Sequence, residues 1–234
     1  MPLWLEIAKG PLFRFALVVL ILGLARLVIL ALWGMMSAIR RAGDPHLPYT
    51  KVIKETLSWL FPIHRLHRAK PVYNYASVIL HLGVIFSLLF LQNHIDILRS
   101  TIGVAWPAVP RLLLDGLTIA AIIGGAYLLL HRLYVRSART LSGILDYFLL
   151  LLLLGVFISG YVAGRAWNPI PYNGLMLFHT LCGLGLIILI PFTKIAHCAL
   201  FPLVRLASEI AWHLTPEGGS RVIKTLYGSE GRKI

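Results

Sequence analysis

Thiols and carboxylates are both scarce in this chain. Its 234 residues include two cysteines, Cys182 and Cys198, and nine aspartates and glutamates against 22 lysines and arginines. Two thiols do not make the cysteine cluster that holds a four-thiolate iron–sulfur centre, so such a centre is expected in another protein. The pair lies sixteen residues apart in or beside one apolar stretch, about 24 Å along a straight helix, too far to bridge. It carries no information about redox compartment. Internal repeats, low-complexity tracts and long linkers are absent. Met1 to Gly10 has no basic n-region or A-x-A site, and the apolar run that follows is too long for an h-region, so no cleavable signal is expected.

What the chain has in abundance is hydrocarbon. Residues of the hydrophobic classes make up 58%, charged ones 13%, and the mean hydropathy is +0.81. A single water-soluble core could not hide that balance, and several apolar runs approach the ~20 residues that a bilayer-crossing helix needs. The expected fold is an all-α integral membrane protein with one domain over 1–234 and five spans near 12–36, 72–91, 112–131, 145–163 and 175–200. Basic residues orient these spans. The segment 37–71 carries Arg40, Arg41, Lys51, Lys54, Arg65, Arg68 and Lys70; the turn after the third span carries Arg132, Arg136 and Arg139; five more follow residue 199, with Lys194 just before. Facing them are only Lys9, Arg14, Arg99, Arg111 and Arg165. By the positive-inside rule the N-terminus is expected outside and the C-terminus in the cytoplasm, across the cytoplasmic (inner) membrane. The formal charge of +13 is then a topology signal; nucleic-acid binding is not expected, because no soluble module carries these residues.

Two connections stand out. Within 37–71, the mixed apolar and charged run from Ile53 to Phe61 suits a short surface helix lying on the membrane or on a partner. In 93–111, the run Ile102 to Pro110, with Trp106, Pro107 and Pro110, suits a rigid interfacial cap able to wall the pocket of a lipid-soluble substrate.

Histidine inside a lipid-spanning segment needs a polar partner, and its presence points to a functional site. Four fall in a pattern. His179 and His197 are eighteen residues apart in the last expected span, five full turns, which on one straight helix puts both rings on one face about 27 Å apart. His81 lies in the second expected span and His94 thirteen residues later at its outer end. Because these two spans run antiparallel, His81 is expected level with His197 and His94 level with His179, each pair able to clamp one haem iron as in a b-type cytochrome. Thirteen residues put His81 and His94 on different sides of a straight helix, so the polar pair Gln92-Asn93 is expected to mark an end or unwinding that lets His94 swing back. Hydrogen bonds between helices are the alternative role for all four.

The stretch Phe178 to His197, with an intervening Pro-Phe-Thr-Lys, resembles the last transmembrane helix of the respiratory nitrate reductase gamma subunit family, and Leu80-His-Leu-Gly83 resembles its second-span histidine motif. Gly103 to Pro110, Asp115 to Thr118 and Gly10-Pro-Leu are more similar to the dihaem b-type subunits of the Hmc, Tmc and Dsr membrane redox complexes and of membrane heterodisulfide reductase. The likeness covers nearly the whole chain. It implies two haems b and a subunit that exchanges electrons between the quinone or menaquinone pool and a cytoplasmic, heterodisulfide reductase-like iron–sulfur protein, with a multihaem cytochrome c and other membrane subunits as further partners. Such a chain is an electron-transfer subunit rather than a complete enzyme.

Other ionisable groups admit two readings each. Arg26, in the middle of the first span, suits a haem propionate, or a snorkelling or interhelical role. Asp115 and Arg111, at the outer start of the third span, suit a quinone site, or a charge favoured by a helix start. Lys194 suits the inner haem's propionates, or snorkelling. His46, His64, His67, His131 and His213 are expected to be solvated or interfacial, with His67 the substitute should His81 not serve; zinc on His64 and His67 lacks further ligands at suitable spacing. The competing function is a membrane transporter or scaffold whose histidines relay protons, which would more often show inverted repeats and broken helices near the midplane.

Overall fold

A computed structural model describes residues 2–42, 47–60, 70–165, 170–214, 222, 224, 225 and 228. Every regular element among them is helical. Six helical stretches, not five, are long and apolar enough to cross a membrane: Leu3–Arg41, Pro71–Phe90, Arg111–Tyr134, Ile144–Ala163, Tyr172–Phe192 and Lys194–Leu214. Four of them cover the first four expected spans, and the first begins well before residue 12. The chain is thus an all-helical, multi-pass membrane protein, and it divides into two compact units, 1–19 with 64–189 and 20–63 with 190–234.

Helix α1 (Leu3–Ile7) passes into α2 (Phe13–Arg41) through a π-helical turn at Ala8–Leu12. Pro11 lies in that turn, where its missing N–H forbids an ordinary α-helical bond and the wider turn absorbs the defect. In the first unit this entry packs Ala8 and Ala16 against Leu184 of α9 (Tyr172–Leu189). Helices α4 (Pro71–Phe90) and α6 (Arg111–Tyr134) meet closely through small residues, as helices in lipid do. A Cβ at Gly83 would collide with that of Ala121, and one at Gly124 would stand 2.9 Å from the Ala76 carbonyl oxygen. Around this seam Leu80, Leu128, Leu150 and Phe157 are buried, the last two from α8 (Ile144–Ala163). The Asp146 carboxylate closes the start of α8 by accepting from Gly143 N–H at 2.9 Å, which suits both the orphan donor and the helix dipole.

The second unit is built around α3 (Tyr49–Leu60) and α10 (His197–Leu214). Leu47, Val52 and Ile210 form its core, joined by Met35 and Ile39 from α2. Arg205 lies 3.7 Å over the Trp59 ring and bonds Glu209 at 3.3 Å. The amphipathic run around Ile53 is therefore a helix, as expected, and it rests on α10 within its own chain; Phe61 lies outside the described residues.

The stretch 175–200 is where expectation and structure part. Helix α9 ends at Leu189, tight 3₁₀ turns follow at Ile190–Phe192 and Lys194–Ala196, and Thr193 between them is extended. Pro191 cannot donate to a continuing helix and its ring crowds the preceding turn, while the Thr193 hydroxyl accepts from Ile195 N–H and starts the next segment. His179 and His197 thus belong to two helices, and the five-turn alignment does not hold.

Candidate functional site

Helix α4 stops at Leu91, whose φ of −77° and ψ of 126° are extended, and α5 (Gln92–Ile102) starts at once. A helix end leaves its last four carbonyls without helical partners, here those of residues 87 to 90. The connection that follows serves three of them. Trp106 Nε1 donates to Leu89 at 2.7 Å, Val109 N to Phe90 at 3.1 Å, and His94 Nδ1 to Ser87 at 2.8 Å. The expected break before His94 is present, and it does two things: it turns the ring back toward α4, and it frees the acceptor that fixes it. Gly103, with φ +77°, ends α5 as only glycine does without strain, and its N–H returns to Arg99. The run expected as a rigid cap is tied to the end of α4 through Trp106 and Val109.

His179 meets His94 from α9. The two ring planes are within 6° of parallel and their centroids are 6.2 Å apart. His179 Nδ1 donates to Val156 O at 3.0 Å, with Ser159 Oγ at 3.3 Å. The Ser159 hydroxyl spends its proton on Gly155 O at 2.6 Å, so it too faces Nδ1 as an acceptor. The ring lies on Gly160, where a Cβ would come within 2.6 Å of its Cε1 atom. Carbonyl oxygens only accept, so in both histidines Nδ1 carries the proton and the lone pair is on Nε2. That is the tautomer of a metal-ligating imidazole oriented by a backbone carbonyl. Burial holds the His94 pKa below its ordinary 6.5, outweighing the carbonyl bonds that raise it, and keeps the ring in the neutral form a metal requires.

Two neutral imidazoles at this spacing, each with its Nε2 lone pair unspent on a hydrogen bond to a carbonyl, are residues that could hold a haem iron. Among the described residues no three His, Cys, Asp or Glu side chains come together, so the chain offers no all-protein metal site there, whereas a porphyrin brings four nitrogens and asks for two.

His81 and His197 repeat the local pattern in separate units. His81 Nδ1 donates to Ser77 O at 2.7 Å, one turn back on α4, and His197 Nδ1 to Lys194 O at 2.8 Å. Lys194 stands in the 3₁₀ turn that follows Thr193, and its carbonyl accepts from His197 Nδ1, so this residue contributes its backbone, a role unread in the sequence.

Asp115 and Arg111 do come together, with a third residue that the sequence reading used only for topology. Arg165 Nη2 bonds Asp115 Oδ2 at 2.8 Å, Arg111 Nε stands 3.9 Å from the same oxygen, and Arg111 also donates to the Gly164 carbonyl. Arg165 lies 4.2 Å over the Tyr161 ring. One turn on from Asp115, Thr118 Oγ1 on α6 is 3.2 Å from Ser87 Oγ on α4, the residue whose carbonyl accepts from His94. Arg165 was legible as the first cation after the fourth span, level with the start of the third. Arg26 is exposed on α2 and no described residue pairs with it. His131 is half-buried and packs at 4.8 Å against Tyr73 of α4 and 6.1 Å from Tyr127 of α6. His46, His64 and His67 lie outside the described residues.

A protein of Nitratidesulfovibrio vulgaris (strain Hildenborough), described only as "Protein", is 32% identical over 196 residues, covering 82% of this chain and 86% of the relative. No protein-family model matches the chain. No solved structure matches it either.

Proposed function

We propose that this chain, which belongs to one family with that Nitratidesulfovibrio vulgaris protein, is a dihaem cytochrome b subunit of a respiratory redox complex, akin to the nitrate reductase gamma subunit and to the b-type subunits of Hmc, Tmc and Dsr complexes. The observation that carries the proposal is the His94–His179 pair: parallel rings, 6.2 Å apart, each with Nδ1 held by a carbonyl and its lone pair on Nε2. These two would hold one haem; His81 and His197 each offer an imidazole with its lone pair on Nε2 for a second, and Arg26 and Lys194 are the candidate propionate partners. Bound haem iron gives up and takes back single electrons.

The chain's own residues do the rest. Carbonyls of Ser87, Val156, Ser77 and Lys194 fix the four tautomers and raise ligand basicity. The Arg111–Asp115–Arg165 cluster sits beside the outer pair with the donors and the carboxylate that a quinol headgroup needs: guanidinium N–H groups for its oxygen and Asp115 Oδ for its proton. Electrons pass between the quinone pool and a cytoplasmic iron–sulfur partner, since two cysteines supply no such cluster here. Five helices cross the inner membrane from an outer N-terminus, and α10, with Arg205 and Glu209 engaged alongside α3, lies along the cytoplasmic surface.

A reduced-minus-oxidised visible spectrum of the purified chain tests this. Paired b-type bands are expected, and His94→Ala and His179→Ala should each remove one haem while leaving the other. A properly assembled sample without such bands would overturn the reading and leave the proton-relay alternative.

A further inference from the structure

The basic end of α2 carries a recess with no role in the site above. Trp33, Gly34, Ser37, Arg40 and Arg41 line an open hollow of ≈ 540 Å³. Its position follows from helical geometry. Met35 and Ile39 pack inward with Leu47, Val52 and Ile210, and at about 100° per residue Trp33, Ser37, Arg40 and Arg41 fall on the half of α2 turned the other way. A Cβ at Gly34 would meet nothing within 4 Å, so the missing side chain leaves a notch in that outward half. Trp33 is 65% exposed at the notch, and Ile29 and Leu30 continue the exposed apolar track toward the helix middle. No described carboxylate pairs with Arg40 or Arg41; the Arg41 Nε donates to Ser37 O at 3.2 Å, which fixes the direction of that guanidinium.

We propose that this recess binds the headgroup of an anionic phospholipid. Two guanidiniums within one turn offer the forked donors that phosphate oxygens accept, and their charges have no protein counter-ion among the described residues. A tryptophan at the junction of an apolar helix and its basic end is placed where lipid glycerol and headgroup meet, and the track above it suits acyl chains. That track separates a lipid from free phosphate, which would use the arginines alone. Arg26 is fourteen residues before Arg40, about 21 Å along the axis, and takes no part.

The test uses the full chain, reconstituted in nanodiscs of phosphatidylcholine with a minor share of phosphatidylglycerol, then released and weighed by native mass spectrometry to count retained lipid. Wild type should retain phosphatidylglycerol well above its share in the disc. Arg40→Gln with Arg41→Gln should weaken retention by roughly fivefold per arginine. Gly34→Leu, which keeps both charges and fills the notch, should weaken it as well, whereas Arg136→Gln with Arg139→Gln removes the same charge elsewhere and should leave it intact. Equal retention by wild type and the Arg40/Arg41 variant overturns the proposal, as does loss in the Arg136/Arg139 control to the same extent. Complete displacement by inorganic phosphate alone would overturn the lipid assignment in favour of a free anion.

Discussion

A methyl group at position 160 has nowhere to go. Gly160 faces the His179 ring, and a Cβ there would sit 2.6 Å from Cε1 and 3.0 Å from Nδ1, the atom that bonds the α8 carbonyl of Val156. Gly160→Val should therefore push the ring off Val156 O and abolish the haem proposed for His94 and His179, at an overpacking cost of about 1–3 kcal/mol. Gly183→Val, on the neighbouring helix with nothing within 4 Å, serves as the control and should retain both haems. The readout is the pyridine haemochrome content per chain; two haems in the Gly160 variant would show that the ring position does not matter. At this scale the sequence was informative about which histidines to watch, because a polar ring in an apolar run is conspicuous. It was silent about Ser87, Val156, Ser77 and Lys194, whose contribution is a backbone carbonyl that any residue type possesses. It was silent about Gly160 for the same reason, since the lack of a side chain acquires meaning only when a ring from another helix fills the space.

The elements that carry the site are defined by where helices stop. Leu91 and Thr193 each leave helical space, and a histidine lies three or four residues later, bonded to a carbonyl that an end or turn makes available. The first break was readable from Gln92-Asn93 and from the angle that a continuous helix would have imposed between His81 and His94. The second was overlooked although Pro191 announces it, because apolar residues continue on both sides and length alone merges two helices into one span. Between breaks, packing rests on small residues. A Cβ added at Gly124 would stand 2.9 Å from the Ala76 carbonyl oxygen, and a backbone atom cannot swing aside as a side-chain tip can. Gly124→Val should cost about 1–3 kcal/mol, at about 2–4 °C of Tm per kcal/mol, in a thermal-shift measurement in detergent. Gly116→Val lies on the same helix with open space and should move the transition little; equal shifts for the two would remove the close α4–α6 seam from the account.

For the whole molecule the open topological variable is α10. Helix Lys194–Leu214 is long and apolar enough to cross, yet Arg205 and Glu209 pair on it and Ile210 is buried beside Val52 of the amphipathic α3. If it lies on the cytoplasmic surface, cysteines introduced at residues 3 and 214 in a Cys182→Ser, Cys198→Ser background should react with an impermeant maleimide from opposite sides of the membrane; labelling from one side would make α10 the sixth crossing. The hydrocarbon content and the distribution of arginine and lysine determined by themselves that the chain is a helical multi-pass membrane protein, because the bilayer acts as a solvent on each segment separately. Position in an apolar run likewise singled out the four histidines. Tertiary structure alone decided that His94 and His179 face one another at 6.2 Å, that Arg165 joins Asp115, and that one expected span is two helices. These depend on backbone geometry at breaks and on contacts between segments far apart in the chain, quantities that residue identity and spacing do not encode one segment at a time.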